Sequence, residues 1–188
     1  MPNADWGKQL SVLRADITTV DADVIVNAAN SSLSGGGGVD GAIHAAAGPT
    51  VLRECQEIFR QNGPCETGAA VITNGGQLRA TWIVHTVGPI WELHEPTEAK
   101  RLLASCYSNS LEMAASVNAN TVAFSAISTG VYGFPKDLAA PVAVSAVASW
   151  LQAKEATRSV QHVTLVCFDE TNFELTKLAT AATGLDIE

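Results

Sequence analysis

The sequence predicts an α/β protein built as a three-layer α/β/α sandwich, and two observations carry that prediction. Short apolar runs recur along the chain, and segments with three- and four-residue apolar spacing separate them. Most runs are apolar at nearly every position instead of alternating, as expected of strands covered on both faces. The 188 residues suit one domain, residues 1–188, and are short for two. Hydrophobic residues make up 47% and charged residues 16%, which provides a core and excludes a tail-like disordered chain.

The elements follow in order. Apolar runs at 9–13 and 24–26 are the first two expected strands. A helix opens near Val39, directly after four glycines, and runs through Ala47 to Gly48. A second helix is expected at 51–60, then strands at 69–72 and 82–87. Residues 97–117 place Ala99, Leu102, Leu103, Cys106, Tyr107, Ser110, Leu111, Ala114 and Val117 on one continuous stripe facing a sheet. A strand at 121–124 precedes a helix at 138–151, with Pro141 expected in its first turn or at a kink. A strand at 162–168 and a helix at 171–182, with Phe173, Leu178 and Ala182 as its apolar set, complete the alternation.

Composition narrows the function. The net charge is −8, with 11 Lys and Arg against 19 Asp and Glu, and the cations do not cluster. A surface that tracks nucleic-acid phosphates needs a basic face, so no nucleic-acid partner is expected. An anionic ligand would have to be held mainly by backbone N–H groups. Cys55, Cys65, Cys106 and Cys167 fit no zinc spacing and no CxxC pair, and they read as packing thiols. The first ten residues carry no apolar signal core, and no run approaches the ~20 apolar residues of a membrane span. A reduced, cytoplasmic protein without membrane partners is expected.

Three constellations carry chemistry. Val26-Asn27-Ala28-Ala29-Asn30 follows a strand, where ligands bind in α/β sheets and where two amides can hold hydroxyl groups. Taken alone it reads as an ordinary strand-end turn. The run Gly35-Gly36-Gly37-Gly38-Val39-Asp40 then leads into a helix, which makes a phosphate site from free N–H groups and the helix dipole. Gly36-x-Gly38-x-x-Gly41 formally matches a dinucleotide fingerprint, but residues 27–35 separate it from the strand, so a dehydrogenase is rejected. Asp40 and His44 share one helix face. A carboxylate beside a phosphate loop weakens binding, which argues that Asp40 holds or deprotonates a water. The alternative is an acid that favours the helix dipole. His44 reads as an orienting or packing histidine. The third constellation, Ser128-Thr129-Gly130-Val131-Tyr132-Gly133-Phe134, offers a second glycine-bearing loop at a strand end. Asp16 can accept from an exocyclic amine, and Phe168 either stacks on a base or belongs to the core.

Together these segments resemble the MacroD-type macrodomains. The matching text runs through Asp16-Ile17-Thr18, residues 24–30, residues 35–44, Ala46-Ala47-Gly48-Pro49, Val84-His85-Thr86-Val87-Gly88-Pro89, residues 127–133 and residues 166–169. The resemblance implies a mixed central sheet and a hydrolase that binds ADP-ribose. Its expected substrates are O-acetyl-ADP-ribose and proteins mono-ADP-ribosylated on acidic side chains, both with an ester at the distal ribose. Asp16, Ile17 and Phe168 would meet the adenine. Gly37, Gly38 and Val39 would line one side of the diphosphate, and Ser128, Thr129, Gly130, Val131 and Tyr132 the other. Asn30 would hold the distal ribose and Asp40 the attacking water, with Asn27 and His44 supporting that geometry. No metal and no cofactor are implied. Ala15, Ala45 and Ser125 depart from the family's usual Gly, basic residue and Pro. A non-catalytic ADP-ribose reader and an ADP-ribose 1″-phosphate phosphatase are the competing readings.

Overall fold

The computed structural model describes residues 9–153 and 159–183. The first eight residues, which bear most of the expectation about a signal core, lie outside the described residues. Six strands form one sheet: β1 (Leu10–Arg14), β2 (Val24–Ala29), β3 (Ala70–Asn74), β4 (Trp82–Val87), β5 (Thr121–Phe124) and β6 (His162–Cys167). Five α-helices accompany them: α1 (Gly38–Ala47), α2 (Pro49–Asn62), α3 (Pro96–Ser116), α4 (Lys136–Ala153) and α5 (Glu170–Ala182). The strand order is β1-β6-β5-β2-β4-β3, parallel throughout except for the antiparallel pair β3–β4 at one edge. The sheet is therefore mixed.

Strand alternation explains the two cores. In β2, Val24 and Val26 join the cluster under α3 and α4, while Ile25 points to the opposite cluster with Ile43 of α1 and Val51 of α2. Ile83 and Val84 divide in the same way. The continuous apolar runs are thus the signature of a sheet with helices on both faces. Among the described residues no helix is long and apolar enough to cross a membrane.

Two helices differ from expectation. Helix α4 begins at Lys136, so Pro141 sits in its second turn. The ring removes the donor that the Asp137 carbonyl would otherwise receive, and both residues are exposed, where water can replace it. Helix α5 does not bury Phe173, Leu178 and Ala182; Leu178 is 68% exposed. Its buried stripe is Asn172, Thr176 and Thr180, at four-residue spacing. Each threonine hydroxyl donates to the carbonyl one turn back, Thr176 to Asn172 at 2.7 Å and Thr180 to Thr176 at 2.8 Å. The hydroxyls are satisfied within the helix, so polar residues occupy its inner face without an unpaired group.

Candidate functional site

The carboxyl ends of β1, β2, β5 and β6 all lie at one edge of the sheet because these strands run parallel. Each delivers one piece of a cleft. Asp16 follows β1 and caps a short 3-10 turn (Ile17–Thr19), accepting from the Thr18 amide at 2.9 Å and the Thr18 hydroxyl at 2.7 Å through Oδ1. Asn30 follows β2, the loop of residues 125–135 follows β5, and Phe168 follows β6.

Two adjoining cavities share Gly38, Val39, Ala126 and Gly130 as walls. One, of about 260 Å³, is lined by Asn30, Gly37, Asp40, Ser128, Val131 and Tyr132. The other, of about 470 Å³, is lined by Asp16, Ile17, Thr129, Phe168, Asp169 and Asn172. The glycine run and the β5–α4 loop thus face one another across a single cleft, and every expected ligand-binding residue lies along it. Phe168 is 79% exposed at its mouth, which overturns the core reading. The strand stops at Cys167, so the ring projects from a loop.

Helix α1 starts in the cleft, with Gly37 as N-cap and no side-chain cap. Its first N–H groups are therefore left for a ligand or water. Gly38 has φ +58°, a left-handed conformation that favours glycine. Across the cleft Ser128 also has positive φ, +63°, and its buried Oγ has no protein partner. A Cβ on Gly88 would run into that Oγ and come within 2.7 Å of the Ile127 side chain, so glycine in the turn after β4 lets the second loop close down without displacing either. Lys136 is the one cation lining the described cleft, and it pairs with Asp169 at 3.1 Å.

The turn reading of Asn27 is overturned. Strand β2 extends to Ala29, and Asn27 is fully buried within it. Its Nδ2 donates to Asp40 Oδ1 at 2.6 Å and lies 3.1 Å from His85 Nδ1. Asp40, in the first turn of α1, is only 5% exposed. With Oδ1 anchored, Oδ2 lies on the Gly36 side: a Cβ built on Gly36 would be 3.2 Å from Oδ2 and 3.7 Å from Asn30 Nδ2. The Asn30 amide braces its own loop, donating to the Gly35 carbonyl at 2.8 Å and accepting from the Ser34 amide at 3.2 Å. His44 Nε2 is 3.4 Å from Asp40 Oδ1, and its ring stacks on His85 with centroids 5.8 Å apart. Burial, and then the charge of Asp40, push the Tyr132 phenol up, so it stays a neutral donor.

The sequence reading missed His85, Lys136, Asp169 and Asn172 as site residues. His85 stood in an apolar strand and in the family-like segment 84–89 with no role attached to it, and Asn172 was an unremarkable helix residue. His44, Cys55 and His85 bring ligand-type atoms within 4.8 Å of one another. Both His85 nitrogens already have partners, Asn27 and Thr73, and burial, Asp40 and Glu54 push the Cys55 thiol up to about 12. A metal ion would have to break those bonds and ionise that thiol, so the cluster is read as hydrogen-bonded packing. Of the three departures, Ser125 replaces a proline with a hydroxyl that donates to the Val26 carbonyl at 2.8 Å. Ala15 forms part of the cleft wall, and Ala45 is exposed on α1.

Residues 26–143 match the Macro domain family. A Macro domain-containing protein of Listeria monocytogenes is 53% identical over 167 residues, covering 89% of this chain and 94% of that protein. An O-acetyl-ADP-ribose deacetylase of Cronobacter sakazakii is 50% identical over 167 residues, covering 89% and 91%. A variant of the Oceanobacillus iheyensis macrodomain, solved with ADPR, superposes with a TM-score of 0.88 at 41% identity, covering 96% of each chain.

Proposed function

This chain belongs to the macrodomain family, and on that premise we propose that it binds ADP-ribose and hydrolyses esters at the distal ribose. Its substrates are O-acetyl-ADP-ribose and proteins carrying mono-ADP-ribose on Asp or Glu. The observation that carries the reading is Asp40: a buried carboxylate at a helix N-terminus, one oxygen anchored by Asn27 and the other facing the cleft beside Asn30. A cleft that only bound a diphosphate would be weakened by that charge.

The steps follow from the site. Asp16, Ile17 and Phe168 receive the adenine in the larger cavity. Gly37, Gly38 and Val39 on one side, and the loop from Ser128 through Thr129, Gly130 and Val131 to Tyr132 on the other, hold the diphosphate with main-chain N–H groups. Asn30 orients the distal ribose, and His44 supports Asp40. A water between Asp40 and the nearer substrate phosphate attacks the ester carbonyl. Its proton passes to that pair, and the ribose oxygen leaves with a proton.

The test compares wild type with Asp40→Ala on O-acetyl-ADP-ribose and on a protein modified at glutamate. Loss of about 10²- to 10⁴-fold in turnover is expected, with ADP-ribose still bound. Full turnover by the variant would remove Asp40 from its role. Binding without turnover by wild type would make the protein a reader. Inorganic phosphate release from ADP-ribose 1″-phosphate would make it a phosphatase.

A further inference from the structure

The hydrogen bonds behind Asp40 admit one consistent placement of protons. Thr73 Oγ1 donates to the Asn74 carbonyl at 3.0 Å, so it can only accept from His85 Nε2, 3.0 Å away. Nε2 therefore carries the ring proton and Nδ1 is a bare acceptor. That acceptor receives one N–H of the Asn27 amide at 3.1 Å, and the other N–H goes to Asp40 Oδ1 at 2.6 Å. Asn27 and His85 are directly paired across β2 and β4, so the backbone register places the two side chains together. The Asn27 oxygen is buried with no protein partner, and turning the amide over would set that oxygen against the Asp40 carboxylate.

We propose that His85 is a positioning residue: as the neutral Nε2–H tautomer it fixes the Asn27 amide, and that amide holds one oxygen of Asp40 so that the other faces the cleft. The inference rests on the role given to Asp40 above. A protonated His85 would present an N–H to the Asn27 N–H and break the relay. Burial and the neighbouring His44 hold its pKa down to about 4, against the opposing pull of Asp40, so the ring stays neutral at ordinary pH. The carboxylate it serves lies one residue beyond reach, so His85 touches no substrate.

The experiment has two arms. NMR of protein labelled at histidine reads the His85 tautomer directly, and Nε2–H is expected. The Nδ1–H form would overturn the proposal, whatever the variants do. The second arm measures turnover and ADP-ribose affinity for His85→Leu, which keeps bulk but has no acceptor, and His85→Asn, whose amide oxygen reaches the Nδ1 position. His85→Leu should lose about tenfold or more in kcat, with ADP-ribose affinity unchanged within about twofold, and His85→Asn should recover most of it. Unchanged kcat in His85→Leu, or equal loss in both variants, would mean that the ring only fills space and would overturn the proposal. If His85→Leu fails to melt cooperatively, Thr73→Val replaces it; that change removes the hydroxyl acceptor of Nε2–H, leaves only the weaker Cys55 Sγ at 3.6 Å, and should shift the tautomer and lower kcat together. A wild type without turnover would overturn the hydrolase reading, while the tautomer still decides whether the relay exists.

Discussion

At the scale of single residues, Asp40 and Gly36 set the chemistry between them. Gly36 has an ordinary φ, so alanine there costs little backbone strain, but its methyl would sit 3.2 Å from Asp40 Oδ2. Gly36→Ala should therefore keep its melting temperature and lose turnover by about tenfold, because the methyl takes the place of the water. Steady-state kinetics beside a thermal melt checks this, and retained turnover would show that the water approaches from elsewhere. Asp40 was legible in the sequence because a carboxylate beside a glycine run is a local contradiction. His85 was not, because what gives it meaning is its pairing with Asn27, 58 residues away, through a register no local pattern encodes.

At the scale of elements, the cleft depends on how closely the turn after β4 and the β5–α4 loop approach. Gly88→Ala would drive a methyl into Ser128 Oγ and within 2.7 Å of the Ile127 side chain. It should cost about 1–3 kcal/mol in stability and weaken ADP-ribose binding, measured by denaturant melts and calorimetry. Wild-type affinity in that variant would show that the second loop does not clamp the ligand. Strands and most helices were readable because a sheet covered on both faces demands unbroken apolar runs. Helix α5 was misread because its inner face is threonine and asparagine, and their hydroxyls and amides are satisfied by bonds that composition does not reveal. The α4 start was missed because Pro141, a usual helix opener, stands inside an exposed turn.

At the scale of the molecule, the buried histidine makes stability depend on pH. A histidine whose folded pKa is about 4, below its ordinary 6.5, binds protons more readily when unfolded. Its contribution is complete above roughly 6.5 and is lost as the pH falls from there toward 4. Unfolding free energy should drop over that window by at most about 1.4 kcal/mol per pH unit. Urea melts at a series of pH values check this, and a flat profile would mean that the His85 pKa is not depressed by folding. The mixed sheet, with its antiparallel β3, was expected from family resemblance alone, since no spacing in the sequence distinguishes it from a fully parallel one. The run of glycines at the start of α1 has one last consequence. An anion site made from main-chain N–H groups has no side chain to delete, so truncating its residues one by one would leave it standing. Its weak points are the positions that carry nothing, and there it fails by gaining atoms. Its hold on a diphosphate should also fade little as salt is added, because few mobile cations take part.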